Sequence, residues 1–299
     1  MMKMKIFVTT SRFFTFLIFL SLTWAQVVLA NEAITIGLQP SGDLEMTKTQ
    51  AFLLAEKLQE KMNKPVQVYI TKNYKGLMEA IKTKKVDFAF FSAMTFVESE
   101  KETGLKVLLK KTWEGPYYFA ALVTLKKSKL INTKNLKNKR IVFVDQDSTS
   151  GFLYPQLYLK NNNISQSVFK SIVFSGSHAH SIELLESGQA DVAAVFADDE
   201  KGKTGAWTRF AKNKNSEFKT IWVSSPIPND PIVVRDEFYK ANSKIADEVM
   251  YSLIELQHDP LMRPKVSEIL GRGDLIPATS QQYEIVREMV KSLKAPQNL

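Results

Sequence analysis

The chain has 299 residues, a formal net charge of +9, 44% hydrophobic and 24% charged residues, and no cysteine. That length supports two domains with substantial cores, and the lack of cysteine excludes disulfides, so stability must come from burial. The basic excess lies in runs such as Lys126-Lys127, Lys137-Asn138-Lys139-Arg140 and Lys212-Asn213-Lys214; without interleaved aromatics these read as solvated faces with some attraction for small anions, not as a nucleic-acid surface.

Residues 1–30 read as a secretory signal peptide. Lys3, Lys5 and Arg12 form a positive start, Phe13 to Leu22 an apolar core, and Val28-Leu29-Ala30 a small-residue site for cleavage after Ala30. The apolar run is short and broken by Thr15, Ser21 and Thr23, which argues against a membrane anchor. The expected location is the periplasm, reached across the inner membrane, with no stable span after cleavage. No cysteine follows the signal for lipid attachment. The signal holds three basic residues and no acid, so the remaining 269 residues carry +6.

In chain order, Ile34, Ile36 and Leu38 alternate as a strand, and Ala51, Leu54, Leu58 and Met62 show helical spacing. Val66, Val68 and Ile70 predict a strand, Tyr74, Leu77, Met78 and Ile81 a helix, and Phe88 to Phe91 a buried strand. The pattern restarts with a strand at Ile141–Val144, a helix at Phe152–Lys160, a strand at Ile172–Phe174, a helix at Ile182–Ser187 and a strand at Val192–Phe196. Two stretches echo each other: in each a helix closes, a turn follows, and Asp87 or Asp191 opens a buried strand. Segments 120–125 and 221–226 read as crossings between two halves, and helical signals at Ile245–Leu256 and Tyr283–Leu293 pack back on the first half. The expected fold class is α/β, with two lobes that are each a mostly parallel sheet flanked by helices, joined by two crossing strands. Residues 31–121 and 225–299 form lobe 1, and 122–224 form lobe 2. Ligands of such sheets sit at the carboxyl ends of the strands, here facing one cleft.

Ser148-Thr149-Ser150-Gly151 stands between the strand at Ile141–Val144 and the following helix. Taken alone it is first an N-cap, since Ser and Thr are the usual capping residues. It is also a chemically suitable anion site. Leading helical N–H groups lack partners inside the helix, the helix dipole favours negative charge, and small hydroxyls add donors.

Around these residues, Asp147-Ser148-Thr149-Ser150-Gly151-Phe152-Leu153, Ser175-Gly176-Ser177-His178 and Pro228-Asn229-Asp230-Pro231-Ile232-Val233 occur in an order and spacing that resembles the PhnD-type phosphate/phosphite/phosphonate-binding proteins of ABC importers. Asn73-Tyr74 before a helix and Val86-Asp87 before a strand add to the likeness, which runs from about Ile34 to Leu293. The resemblance implies a periplasmic-binding-protein fold closing on its ligand, with an inner-membrane ABC permease as partner and no cofactor. By position it implies that Ser148, Thr149 and Ser150 cradle the phosphoryl group and that His178 contacts it, while Tyr74 covers the ligand. It implies that Asp230 and Asp198 hold an ammonium group where the ligand has one. Two departures concern the organic tail. Asp198 is shorter than the family's glutamate, and Phe91 followed by Ser92 stands where aminophosphonate binders carry a tyrosine.

The physical reading runs beside this. Three phosphoryl oxygens accept charge-assisted hydrogen bonds from hydroxyls and N–H groups. His178 can donate one more and can change charge near neutral pH. Two carboxylates near a dianion make sense only opposite a ligand cation or a P–OH proton. His178 and His180 beside Asp198-Asp199 do not amount to a metal ligand set, and no metal is expected. His180 and His258 read as surface residues, Asp199 and Glu200 as a solvated turn. Trp113, Tyr117 and Tyr118 either wall the cleft or pack in the core. An exported phosphoester hydrolase is disfavoured, since no cysteine or G-x-S-x-G nucleophile is present. A receptor that senses the same ligand for a membrane kinase would have the same sequence features.

Overall fold

The computed structural model of the chain describes residues 33–40, 42–113, 115–213 and 215–295, and the expected signal peptide at 1–30 lies outside them. Twelve strands are found among the described residues. They are β1 (Ile34–Leu38), β2 (Val66–Ile70), β3 (Phe88–Phe90), β4 (Leu105–Lys111), β5 (Tyr117–Leu125), β6 (Arg140–Phe143), β7 (Ser171–Phe174), β8 (Val192–Ala197), β9 (Phe218–Val223), β10 (Ile227–Pro228), β11 (Pro231–Arg235) and β12 (Leu275–Pro277). They form two six-stranded sheets, ordered β12-β4-β11-β3-β1-β2 and β10-β5-β8-β6-β7, with β9 also on β5.

Both sheets are mixed rather than mostly parallel. Only the βαβ pairings β1–β2, β1–β3, β6–β7 and β6–β8 are parallel. In the first sheet β11 returns from the second sheet and runs antiparallel to both β3 and β4, taking the place between them. The passages between sheets also differ from expectation. The chain leaves the first sheet between β4 and β5, at 112–116, and returns between β10 and β11, at 229–230. Segments 120–125 and 221–226 are no crossings: β5 and β9 lie side by side inside the second sheet, with Ala121 opposite Val223 and Leu122 opposite Trp222.

The helices cover the sheets by their apolar faces. Leu44–Met62 buries Ala51, Leu54, Leu58 and Met62, and it shares a core with Val249, Leu253 and Leu256 of Ser243–His258. The C-terminal segment is thereby bound to the first sheet. Asn63 closes the first of these helices in the left-handed region, at φ 48°, a conformation asparagine tolerates. Among the described residues no helix is long and apolar enough to cross a membrane.

The two echoing stretches are structurally equivalent. Asp87 Oδ2 accepts the N–H of Thr35 in β1 at 2.9 Å, and its Oδ1 pairs with Arg235 at 2.7 Å. Asp191 Oδ2 accepts the N–H of Arg140 in β6 at 2.8 Å, and its Oδ1 pairs with the same arginine's side chain at 2.7 Å. Each aspartate thus clamps the first strand of the parallel βαβαβ unit in its sheet.

The helix expected over Phe152–Lys160 begins as a wide π turn, Thr149–Leu153, before the α-helix Tyr154–Asn161. Proline at 155 has no N–H for the carbonyl of Gly151, and that carbonyl accepts Val144 N–H at 3.2 Å instead. Leu153 N–H reaches back to Ser148 O at 3.0 Å, which widens the turn. A Cβ on Gly151 would lie 2.5 Å from Val144 Cβ, so only glycine allows this approach.

Candidate binding site

Four capped N-termini meet at one pocket. Asn73 caps the helix that Tyr74 opens, accepting Gly76 N–H at 2.8 Å. Ser92 caps Ala93–Thr103, accepting Thr95 N–H at 3.1 Å. Ser148 caps the π turn through Gly151 N–H at 3.1 Å, and Ser177 caps the helix opened by His178 through His180 N–H at 3.2 Å. The pocket between them is lined by Tyr74, Ser92, Ser148, Thr149, Ser150 and His178, together with Asp198 and Asp230, so all eight residues singled out from the sequence come together. Helix N-termini carry leading N–H groups and a positive dipole end, which favour an anion nearby.

The hydroxyls are buried and already organised. Thr149 Oγ1 accepts Met94 N–H at 2.8 Å, and Ser92 Oγ donates to Asp147 O at 3.3 Å, so the pocket is bonded shut across its seam. Tyr74 and Tyr118 bring their hydroxyls beside Ser148 and Thr149, and burial raises both phenols above their usual range. They stay neutral donors.

Both acids have a protein cation. Asp198 pairs with Arg209, the two side chains being 3% and 7% exposed. The Arg209 guanidinium lies 4.1 Å from the Trp113 ring centre and 4.7 Å from that of Phe196. Asp230 Oδ2 lies 3.5 Å from Lys111 Nζ. Burial raises the Asp230 carboxyl above its ordinary range, with Lys111 opposing. Each carboxylate thus has a cation within the protein, besides the two partners the sequence left open, a ligand cation or a P–OH proton.

His178 does not change charge near neutral pH. Burial, and then the nearby Arg209, lower it to about 3, so the ring stays neutral. It packs edge-on to Phe196 with ring centres 4.9 Å apart. His180, two positions along the same helix, faces elsewhere: it is exposed and hydrogen-bonds Ser175 O at 2.9 Å.

Three buried polar atoms of lining residues have no hydrogen-bond partner among the described residues: His178 Nδ1, Asn229 Oδ1 and Asp230 Oδ1. Asn229 itself is held by Nδ2 donating to Gly115 O at 2.9 Å and by its carbonyl accepting Tyr283 Oη–H at 2.7 Å. Buried groups in such a state call for a partner from outside the chain. The cavity volume is ≈ 60 Å³. One water needs roughly 10–15 Å³ on that measure, so the space suits a compact group of a few heavy atoms.

Lys111, Arg209, Asn229, Phe196, Phe210 and Glu268 also line the pocket without having been singled out. Trp113 and Tyr118 wall it, whereas Tyr117 is exposed beneath Lys110.

The family model described as "ABC transporter, phosphonate, periplasmic substrate-binding protein" matches residues 36–283. The chain is 29% identical over 276 residues to the phosphonates-binding periplasmic protein of Escherichia coli K12, covering 88% of this chain and 80% of the relative. It is 24% identical over 282 residues to the phosphate-import protein PhnD of Mycolicibacterium smegmatis, covering 86% and 85%. Among solved structures, PhnD1 of Prochlorococcus marinus in complex with methylphosphonate superposes with a TM-score of 0.76 at 21% identity, covering 88% of this chain and 98% of that one. A binding-protein component of an ABC phosphonate transporter from Pseudomonas aeruginosa gives 0.76 at 18% identity, covering 88% and 86%.

Proposed function

The chain belongs to the periplasmic substrate-binding proteins of phosphonate ABC transporters, solute-binding proteins and not enzymes, and from that premise we propose that it captures a compact phosphorus oxyanion in the pocket between its two sheets. The observation that carries this reading is the meeting of four capped N-termini on one small cavity that also holds Ser148, Thr149, Ser150 and a neutral His178. Neutral donors in a buried pocket bind an oxyanion through charge-assisted hydrogen bonds, each worth about 1.5–3 kcal/mol. Asn229 Oδ1 and Asp230 Oδ1 are placed to accept a hydrogen bond from a P–OH group, so the favoured form is a monoprotonated phosphonate, phosphite or phosphate.

The sheets, with their helices, act as the two lobes, hinged at 112–116 and 229–230, and the closed form is what an inner-membrane permease receives. Residues 1–30 direct export and are removed after Ala30. Isothermal titration of the purified protein with methylphosphonate, phosphite and phosphate tests the reading. Saturable binding of at least one of them is expected, and no heat from any of the three overturns it.

A further inference from the structure

We propose that the short helix Ala206–Phe210 is a latch across the cleft, in which the Phe210 ring, seated on Gly42, seals the pocket and sets how long a captured oxyanion stays. This rests on the reading of the pocket as a phosphorus-oxyanion site. A second chamber of ≈ 50 Å³ adjoins the pocket, and beyond both lies an open groove of ≈ 490 Å³ with exposed Leu44, Met46 and Lys212 on its walls. Phe210 lines the pocket and the groove, while Gly42 lines the second chamber and the groove. The two residues therefore stand at the boundary between the inner spaces and the outer one.

They come from opposite sides of the cleft. Gly42 lies between β1 of the first sheet and the helix Leu44–Met62, whereas Phe210 ends a helix whose Ala206 and Trp207 are buried in the core of the second sheet. A Cβ on Gly42 would lie 2.8 Å from Phe210 Cε1 and 3.0 Å from Cζ, so the ring occupies space that any side chain at 42 would fill. The preceding residue makes a second crossing, since the Arg209 guanidinium lies on the ring of Trp113, in the passage that leaves the first sheet. The latch is anchored behind on its own side. Phe210 meets Phe196 of β8 edge-on, with ring centres 6.1 Å apart, and Gly205 pairs with Ala197, where a Cβ would come within 2.5 Å of Phe196 O. When the lobes part, the contact with Phe196 stays and the contact with Gly42 is lost. Burial of the ring's cleft side therefore favours the closed form alone. With the ring seated, water is kept from the hydrogen bonds beneath it, which strengthens them.

Isothermal titration and stopped-flow kinetics with methylphosphonate, phosphite and phosphate test the proposal on the unaltered protein, Phe210→Ala, Gly42→Val and the double variant. In each single variant the bound oxyanion should leave about tenfold faster or more, with association changed by less than about threefold, and Kd should rise to match. The double variant should bind no more weakly than Phe210→Ala, because the added methyl groups have nothing to displace once the ring is gone. An unchanged dissociation rate in Phe210→Ala overturns the latch and leaves the oxyanion site standing. Losses that add in the double variant also overturn it, since Gly42→Val would then act through something other than the ring. No binding of any of the three compounds by the unaltered protein removes the oxyanion site itself. If Phe210→Ala fails to fold, Phe210→Leu takes its place in the same cycle and is judged by the same outcomes.

Discussion

Thr149 Oγ1 accepts the backbone N–H of Met94 at 2.8 Å, joining the π turn of the second sheet to the helix N-terminus of the first. The hydroxyl uses a lone pair in this bond and keeps its proton for an anion in the pocket. Thr149→Val holds the volume but removes both roles, and it leaves a buried N–H unpaired at a cost of about 1–3 kcal/mol. Ser148 still caps the turn, so helix content should be unchanged by circular dichroism. Affinity for the phosphorus oxyanion should fall by about tenfold or more, with a lower Tm, and Thr149→Ser should restore both. Wild-type affinity in Thr149→Val would remove the hydroxyl from the site.

The N-terminus at Ser148 was legible in the sequence because capping chemistry is local, a side chain bonding only three residues ahead, and Asn73 was placed before its helix; the helix Ala93–Thr103 capped by Ser92 and the early start at His178 of the helix capped by Ser177 were not read. The strands were legible for the same reason, as alternation at Ile34, Ile36 and Leu38 directly reports a buried face. The cations were not. Arg209 meets Asp198 across a loop folded by Asp199, which accepts the N–H groups of Lys201, Lys203 and Thr204 at 2.9 Å each. Nothing in residue spacing announces that loop. Lys111 ends a strand whose letters suggest a solvated edge. It is buried because β11 and β12 flank β4 on both sides, a consequence of the late return of the chain.

Gly151 is held to the strand exit more tightly than any side chain allows, with Val144 Cβ only 2.5 Å from where a Cβ would stand. Gly151→Ala must push the π turn away from Val144 and lengthen the 3.2 Å bond between Val144 N–H and Gly151 O. Overpacking of this kind costs about 1–3 kcal/mol. Because the same turn carries Ser148, Thr149 and Ser150, affinity should drop along with Tm. A stable Gly151→Ala variant with full affinity would show that the turn tolerates displacement.

His178 makes stability depend on pH. Its folded value, about 3, lies below the ordinary 6.5, and burial is the main cause. Between those values the unfolded chain binds a proton that the folded chain does not. Stability is therefore complete above pH 6.5 and is lost as pH falls toward 3. Between pH 7.5 and 5 the loss from this group is about 2 kcal/mol. Asp230, whose carboxyl is raised, acts in the opposite direction at the acid end. Urea denaturation at a series of pH values should show a steeper fall in the unaltered protein than in His178→Gln. Parallel curves would mean that the histidine is accessible to protons.

Asp87 and Asp191 hold equivalent positions but differ in exposure, so the same substitution should have unequal effects. Asp87 and Arg235 are 14% and 10% exposed, and Arg235 Nε also donates to Val86 O at 2.9 Å. Asp191 and Arg140 are 29% and 35% exposed. Asp87→Asn leaves the buried guanidinium with only the exposed Glu237, 3.8 Å away, as counter-charge, so the loss should approach about 3–5 kcal/mol, the cost when one partner of a buried pair is removed. Asp191→Asn leaves an arginine that water can reach, and about 1 kcal/mol is expected. Neither residue lines the pocket, so ligand affinity at a temperature where both variants are folded should change by less than about threefold. Chemical denaturation of the two variants checks the ranking. Equal losses would mean that the shared clamp on Thr35 and Arg140 N–H, rather than the ion pair, sets the strength of both.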